Sequence, residues 1–189
     1  MDSPDFPHSF AFDPRYGYDF DTLCKLDAPL APDDFAAFWQ GLRDAALAVQ
    51  PLPVSREIHS PAADLRLFEI EFTSLDFCRI GGWLTLPRSG PVTRGVVVGH
   101  GYGGRDGADL SLPMRQAAAI FPCARGISRS AHPLVPGDPS RHVLYGIHSR
   151  RSYVLGGCAA DTVWCAASAI HELVPETLAR LDYMGISFV

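Results

Sequence analysis

The chain has 189 residues, 47% of them hydrophobic and 20% charged, a composition that buries a core and excludes a disordered tail. Its formal net charge of -5 comes without any Lys/Arg-rich run, which argues against a nucleic-acid partner because phosphate binding needs clustered cations. No apolar stretch approaches the roughly 20 residues that span a bilayer. The acidic, proline-broken start Met1-Asp2-Ser3-Pro4 lacks the charged and apolar regions of a signal peptide, so a cytoplasmic protein without a membrane partner is expected.

Residues 1–30 are rich in Pro, Asp and aromatics, a mixture that predicts an arm with little regular structure, anchored by its rings. From residue 31 a single domain is expected to run to residue 189. Pro32-Asp33-Asp34 suits a first helical turn, and Phe35, Phe38, Trp39, Leu42 and Ala46 follow at helical spacing, predicting an amphipathic helix that ends before Pro51. Between Val54 and Leu86 the pattern alternates, as in Leu65-Arg66-Leu67-Phe68-Glu69-Ile70, which predicts antiparallel strands with a turn at Ser74-Leu75-Asp76. Arg94 to His100 is a short apolar run bounded by glycine, the pattern of a parallel strand buried on both faces.

After Leu112 a short helix through Met114, Ala117, Ala118 and Ile120 is expected, leading to a weak strand at Phe121-Pro122-Cys123 whose proline points to an edge or a start. Residues 126–150 hold arginines, histidines and prolines with no period, and predict a long loop excursion of functional type. From Ser152, apolar positions including Val154, Cys158, Trp164, Cys165 and Leu173 predict a crossover helix that Pro175 closes, followed by a buried strand from Arg180 to Ile186. The five cysteines are odd in number and show no CxxC spacing, so they read as thiols rather than as a disulfide framework or a zinc knuckle. Cys158 and Cys165 are expected to share one helix face in the core.

Two segments point to chemistry. Gly185-Ile186-Ser187-Phe188 supplies four of the five positions of the nucleophile elbow G-x-S-x-G, with Val189 at the fifth. The elbow needs small residues because its serine sits on a sharp strand-to-helix turn. G-x-S-x is common by chance, and it gains weight here from following a buried strand. The second segment is Gly99-His100-Gly101-Tyr102-Gly103-Gly104, which follows the first parallel strand where an oxyanion-binding loop belongs. Its bland alternative is a glycine-rich turn leading into a helix. The expected oxyanion donors are the backbone N–H groups of Tyr102 and Phe188.

In their order, these segments and their flanks resemble the acetyl xylan esterase and cephalosporin-C deacetylase family of α/β-hydrolases. The resemblance runs over about residues 18–188, through Ala31 to Trp39, Ile80-Gly81-Gly82-Trp83-Leu84, the Gly99 loop, Arg125-Gly126, the helix from Ser152 to Trp164, and Arg180 to Ser187. It implies an incomplete α/β-hydrolase fold, a mostly parallel central sheet preceded by antiparallel strands and an N-terminal helix. It also implies a serine esterase that removes acetyl groups from small esters and acetylated sugars, without metal or organic cofactor and often as a homo-oligomer. By that resemblance Ser187 matches the nucleophile, Tyr102 the oxyanion-loop residue and Phe188 the position after the nucleophile.

In this fold the triad acid and histidine follow the serine, and only two residues follow Ser187. The 189-residue chain is therefore expected to be nearly inactive alone, as the nucleophile-bearing part of such an esterase. Among upstream substitutes, His100 is expected to be a hydrogen-bonded loop histidine, and Asp161 to satisfy local backbone or an arginine. His132, His142 and His148 have spacings that match no metal-ligand pattern. Two other readings are a noncatalytic interaction module that uses the aromatic arm and an exposed sheet edge, and the product of an incomplete reading frame.

Overall fold

The computed structural model describes residues 9–185 and Ser187. The chain separates into two compact units, one ending at Ala36 and one beginning at Ala37. In the first unit the Asp13 carboxylate accepts the N–H groups of Arg15 and Gly17 at 2.9 and 3.1 Å, closing a turn. The rings of Phe10, Phe12 and Tyr16 stack in series at 5.4 and 5.9 Å. A single helical turn, α1 (Phe20–Leu23), is capped by Asp19, whose side chain accepts the Thr22 N–H at 2.7 Å.

α2 (Phe35–Leu47) begins at the end of this unit, one turn after the Pro32 carbonyl accepts the Phe35 N–H at 2.9 Å. Its buried residue, Ala46, packs into the core of the second unit.

The second unit is built on a six-stranded mixed sheet in the order β1-β2-β3-β5-β4-β6. The strands are β1 (Val54–Ile58), β2 (Leu65–Thr73), β3 (Arg79–Pro87), β4 (Arg94–Val98), β5 (Ala117–Pro122) and β6 (Leu181–Met184). β1, β2, β3 and β5 pair antiparallel, whereas β4 pairs parallel with both β5 and β6. The turn between β2 and β3 is tight enough that Asp76 and Phe77 both take positive φ, 58° and 57°.

Alternation assigns the side chains to two faces. Phe68, Ile70, Phe72, Ile80, Val97 and Ile120 face one side, under the helix that precedes β6, and Leu67, Trp83, Val96, Val98 and Phe121 face the other. Both sides of β4 are buried, which is why its sequence is a continuous apolar run rather than an alternating one.

Three expectations about the sheet are corrected. The segment Ala117–Ile120 is not helical: it is the core of β5, an interior strand between β3 and β4. Alanine favours helix intrinsically, but here the hydrogen-bonding edges on both sides and burial on both faces decide. Pro122 does not put the strand at an edge either, because it is the last residue of β5, beyond the parallel ladder that ends at Ile120. β6, expected to be a buried strand, is only partly covered; its ladder is with β4, Tyr183 is half-exposed, and Ile186 lies outside the described residues.

The crossover to β6 consists of α4 (Val154–Ala159), a π-helical stretch Ala160–Cys165, and α5 (Ala166–Leu173), which stops at Pro175 as expected. The π stretch buries Asp161 and Thr162 completely. Cys158 and Cys165 are both buried but fall in different apolar clusters, so the expected common face is broken by the extra residue of the π turn. The excursion 126–150 contains only the 3-10 turn Ser128–Ser130 and the short helix α3 (Pro139–His142), capped by Asp138. No helix among the described residues is long and apolar enough to cross a membrane.

One ion pair ties sheet to helix. Arg125, just past β5, donates from Nε and Nη2 to the two carboxylate oxygens of Asp161 at 2.9 and 2.8 Å, and its backbone N–H donates to the same carboxylate at 3.0 Å. The guanidinium lies so close over α4 that a Cβ on Gly157 would collide with it, which gives that helical glycine its purpose. Burial pulls the Arg125 pKa down, but the bonds to Asp161 outweigh it and hold the group above its ordinary value. Removing the acid leaves the buried guanidinium with the largely exposed Asp76 carboxylate, 3.7 Å away, as its remaining anion, a loss of up to about 3–5 kcal/mol. Asp161→Ala is therefore expected to lower the urea-denaturation midpoint sharply and Asp161→Asn less, since the amide oxygen still accepts from Arg125. Equal midpoints for wild type and Asp161→Ala would contradict this.

Candidate active site

β4 and β6 run parallel as neighbours, with Val98 opposite Met184, and the Gly99 N–H extends the ladder by donating to the Met184 carbonyl at 2.8 Å. The loop that starts at Gly99 and the turn that carries Ser187 therefore leave the same end of the sheet from strands about 5 Å apart. This is the carboxyl end, where ligands bind in open α/β sheets.

Ser187 lies in a turn, exposed, with φ at 64°. A non-glycine side chain rarely adopts that region. Phe188, the second expected oxyanion donor, lies outside the described residues.

The Gly99 loop is clamped at several points. Arg105 Nη2 reaches back to donate to the carbonyls of Val98 and Gly99 at 3.0 and 2.9 Å, while its guanidinium lies 5.2 Å from the Phe121 ring centroid. The Gly104 N–H closes a turn onto the Gly101 carbonyl at 2.9 Å. Gly104 has φ at 69°, and a Cβ there would strike the Ser128 hydroxyl, which accepts the Arg105 N–H at 3.0 Å. Only glycine satisfies both the angle and the contact.

The side chain of Tyr102 is half-buried, packed against the cluster of Ala124, Ile127, Val154 and Cys158, and its hydroxyl lies 3.3 Å from His142 Nδ1. Burial, with Cys158 and Tyr153 nearby, pushes its pKa up to about 12, so the hydroxyl remains a hydrogen-bond donor throughout the neutral range.

His100 is buried as a structural link. Its Nδ1 donates to the Gly101 carbonyl at 2.7 Å, and its Nε2 accepts the Ala124 N–H at 3.0 Å, which fixes the neutral tautomer and joins the loop to the end of β5. With both ring nitrogens committed, it is a poor general base, as the sequence reading expects.

Asp161 is held by Arg125, Asp109 accepts from Ser111, and Asp138 caps α3. His132 accepts the Leu134 N–H and His148 lies against Ser152, so these two and His142 serve separate local bonds. Among the described residues no group of three or more His, Cys, Asp or Glu side chains could hold a metal ion. Cys24, Cys78, Cys123, Cys158 and Cys165 are free thiols, and burial raises the pKa of Cys123 and Cys158, so neither offers a thiolate nucleophile.

Two residues that support the loop have no legible signal in the sequence. Arg105 merely follows a glycine run, and His142 sits in an aperiodic segment 40 residues from Tyr102. Only the fold brings them to the site.

A six-stranded mixed sheet with a parallel half and a helical crossover leading into β6 is a partial α/β-hydrolase fold. Residues 26–119 match the family model described as acetyl xylan esterase (AXE1), and the chain belongs to the acetyl xylan esterase family. Its fold is similar to that of acetyl xylan esterase 1 from Thermoanaerobacterium sp. JW/SL YS485, at TM-score 0.68 and 20% identity over 82% of this chain and 50% of that one. It is also similar to the acetyl xylan esterase from Paenibacillus sp. R4, at TM-score 0.62 and 20% identity over 89% of this chain and 56% of that one. The chain thus spans about half the length of these two structures. No curated protein matches it in sequence.

The His100 clamp makes stability pH-dependent. Burial holds its pKa below the ordinary 6.5, only partly offset by the bond to the Gly101 carbonyl, with Arg105 and His142 adding to the lowering. The unfolded chain then binds the proton at higher pH than the folded one does. The contribution is complete above pH 6.5 and is lost as pH falls through the lowered folded value. Urea midpoints are expected to fall between about pH 7.5 and about pH 5, with a shallower slope in His100→Gln, whose amide oxygen can still accept the Ala124 N–H. An unchanged slope would assign the dependence to other groups.

Proposed function

We propose that Ser187 is the nucleophile, and the backbone N–H groups of Tyr102 and Phe188 the oxyanion donors, of a serine carboxylic-ester hydrolase that deacetylates small esters or acetylated sugars. The observation that carries this reading is the juxtaposition at the carboxyl ends of β4 and β6. There a clamped glycine-rich loop stands beside a serine held at φ 64°. Attack by the Ser187 hydroxyl on an acetyl carbonyl gives a tetrahedral oxyanion, which the loop N–H groups stabilise without reorganising because the loop is already fixed. Collapse expels the alcohol and leaves acetyl-serine, which water hydrolyses.

Acylation needs a base to take the serine proton and give it to the leaving alcohol, and deacylation needs the same base to take a proton from the attacking water and return it to the serine. Neither of the two buried histidines by the loop is arranged for this: His100 is committed on both nitrogens and His142 donates to the Arg125 carbonyl. In this fold the acid and histidine follow the serine, so the reading assigns them to sequence beyond Ser187 and makes a polypeptide of these 189 residues nearly inactive. It further has the enzyme acting in the cytoplasm, as a homo-oligomer, without a cofactor.

The test compares p-nitrophenyl acetate hydrolysis by the 189-residue polypeptide, a longer form that carries the following sequence, and the Ser187→Ala variant of each. The short pair is expected to be indistinguishable, while Ser187→Ala in the longer form lowers kcat by at least about 10³-fold. Turnover by the short form that depends on Ser187 would refute its inactivity, and a longer form indifferent to Ser187→Ala would refute the nucleophile.

A further inference from the structure

The proposed oxyanion donor Tyr102 lies on a loop with glycine on both sides, Gly101 and Gly103, so its peptide orientation needs an anchor from outside the loop. The side chain supplies one. His142 is fully buried, meets the Tyr102 ring edge-on at 5.5 Å and 76°, and has one ring nitrogen against the Tyr102 hydroxyl and the other against the Arg125 carbonyl, 2.9 Å away. A carbonyl only accepts, so Nε2 carries the proton; in the neutral ring Nδ1 is then an acceptor, and the Tyr102 hydroxyl donates to it.

The carbonyl that sets this tautomer is itself immobilised, because the N–H and guanidinium of Arg125 are both bound to the buried Asp161 carboxylate. A line of fixed groups therefore runs from the π stretch, through the end of β5, to α3 and on to the loop.

We propose that His142 is a positioning residue for catalysis, a latch that holds Tyr102 so that its backbone N–H faces the oxyanion site. This role rests on the esterase reading above. It differs from plain core packing in requiring one tautomer and one direction of hydrogen bonding, which a ring of similar shape cannot reproduce.

The latch is tested by NMR on the 189-residue chain, with no hydrolysis involved. The ring nitrogens of His142 are expected to show Nε2 protonated and Nδ1 bare, with the Nδ1 resonance moving in Tyr102→Phe. Exchange of the Gly104 amide, which closes the loop onto the Gly101 carbonyl, is expected to quicken about five- to tenfold in Tyr102→Phe and equally in His142→Phe. The double variant should be no faster than either single one, and His142→Asn, whose side-chain oxygen replaces the Nδ1 acceptor, should restore most of the protection.

A His142 protonated at Nδ1, or Gly104 exchange unmoved by Tyr102→Phe, overturns the proposal, as do additive single effects. Should His142→Phe not fold, Tyr102→Phe and the tautomer decide, since Tyr102 is only half-buried. A failed latch beside an active Ser187 would leave the esterase reading standing. A confirmed latch beside a Ser187 that is inert in the longer form would remove the catalytic purpose and leave the loop anchor.

Discussion

Arg125 and Asp161 meet where three parts of the molecule have to agree: the end of β5, the π stretch of the crossover helix and the start of the long excursion. Pairing two charges in the interior is not a cheap source of stability, because desolvation consumes much of what the attraction returns. What the pair supplies is position. A planar guanidinium and a carboxylate bond in one geometry, and the added bond from the Arg125 N–H fixes backbone as well as side chain. Gly157 is the helix's concession to that geometry, and the π stretch is where it places its acid.

Around this pair the sheet sets the direction of everything else. β4 lies between β5 and β6 with all three parallel, so their carboxyl ends form one rim. The Gly99 loop, Arg125 and Ser187 each leave that rim within a few residues of a strand end. Their side chains need not be brought together by long loops; strand spacing does it. The antiparallel strands β1 to β3 contribute no candidate site residue and serve to widen the two buried faces.

The fixed surroundings of the Gly99 loop have a chemical meaning under the esterase reading. An oxyanion hole is effective to the extent that its donors do not have to reorient when charge develops. Arg105, His100, Ser128 and the Tyr102–His142 contact each bind a different point of a seven-residue stretch that would otherwise be held by glycines. All four restraints are neutral or cationic, so none places a carboxylate next to the developing oxyanion.

Much of this was legible in the residue pattern, and the remainder was illegible for physical reasons. Period-two alternation announced β2 and β3, and the apolar run of β4 announced a strand buried on both faces, since both signals follow from which side of the chain meets solvent. The glycine loop and the serine turn were legible because left-handed or sharply bent backbone restricts residue type locally. Ala117 to Ile120 was misread as helix because alanine's intrinsic preference is weak, and the neighbours that override it, β3 and β4, are distant in sequence. The partners Arg125–Asp161 and Tyr102–His142 are 36 and 40 residues apart, and nothing local to either member names the other. The sequence alone thus determined β2, β3, β4 and the two candidate catalytic segments, all of which depend on local backbone constraint or burial period. The tertiary structure alone decided that those segments share one rim and which buried side chains hold them there, because pairings across the sheet are settled by packing rather than by any neighbour along the chain.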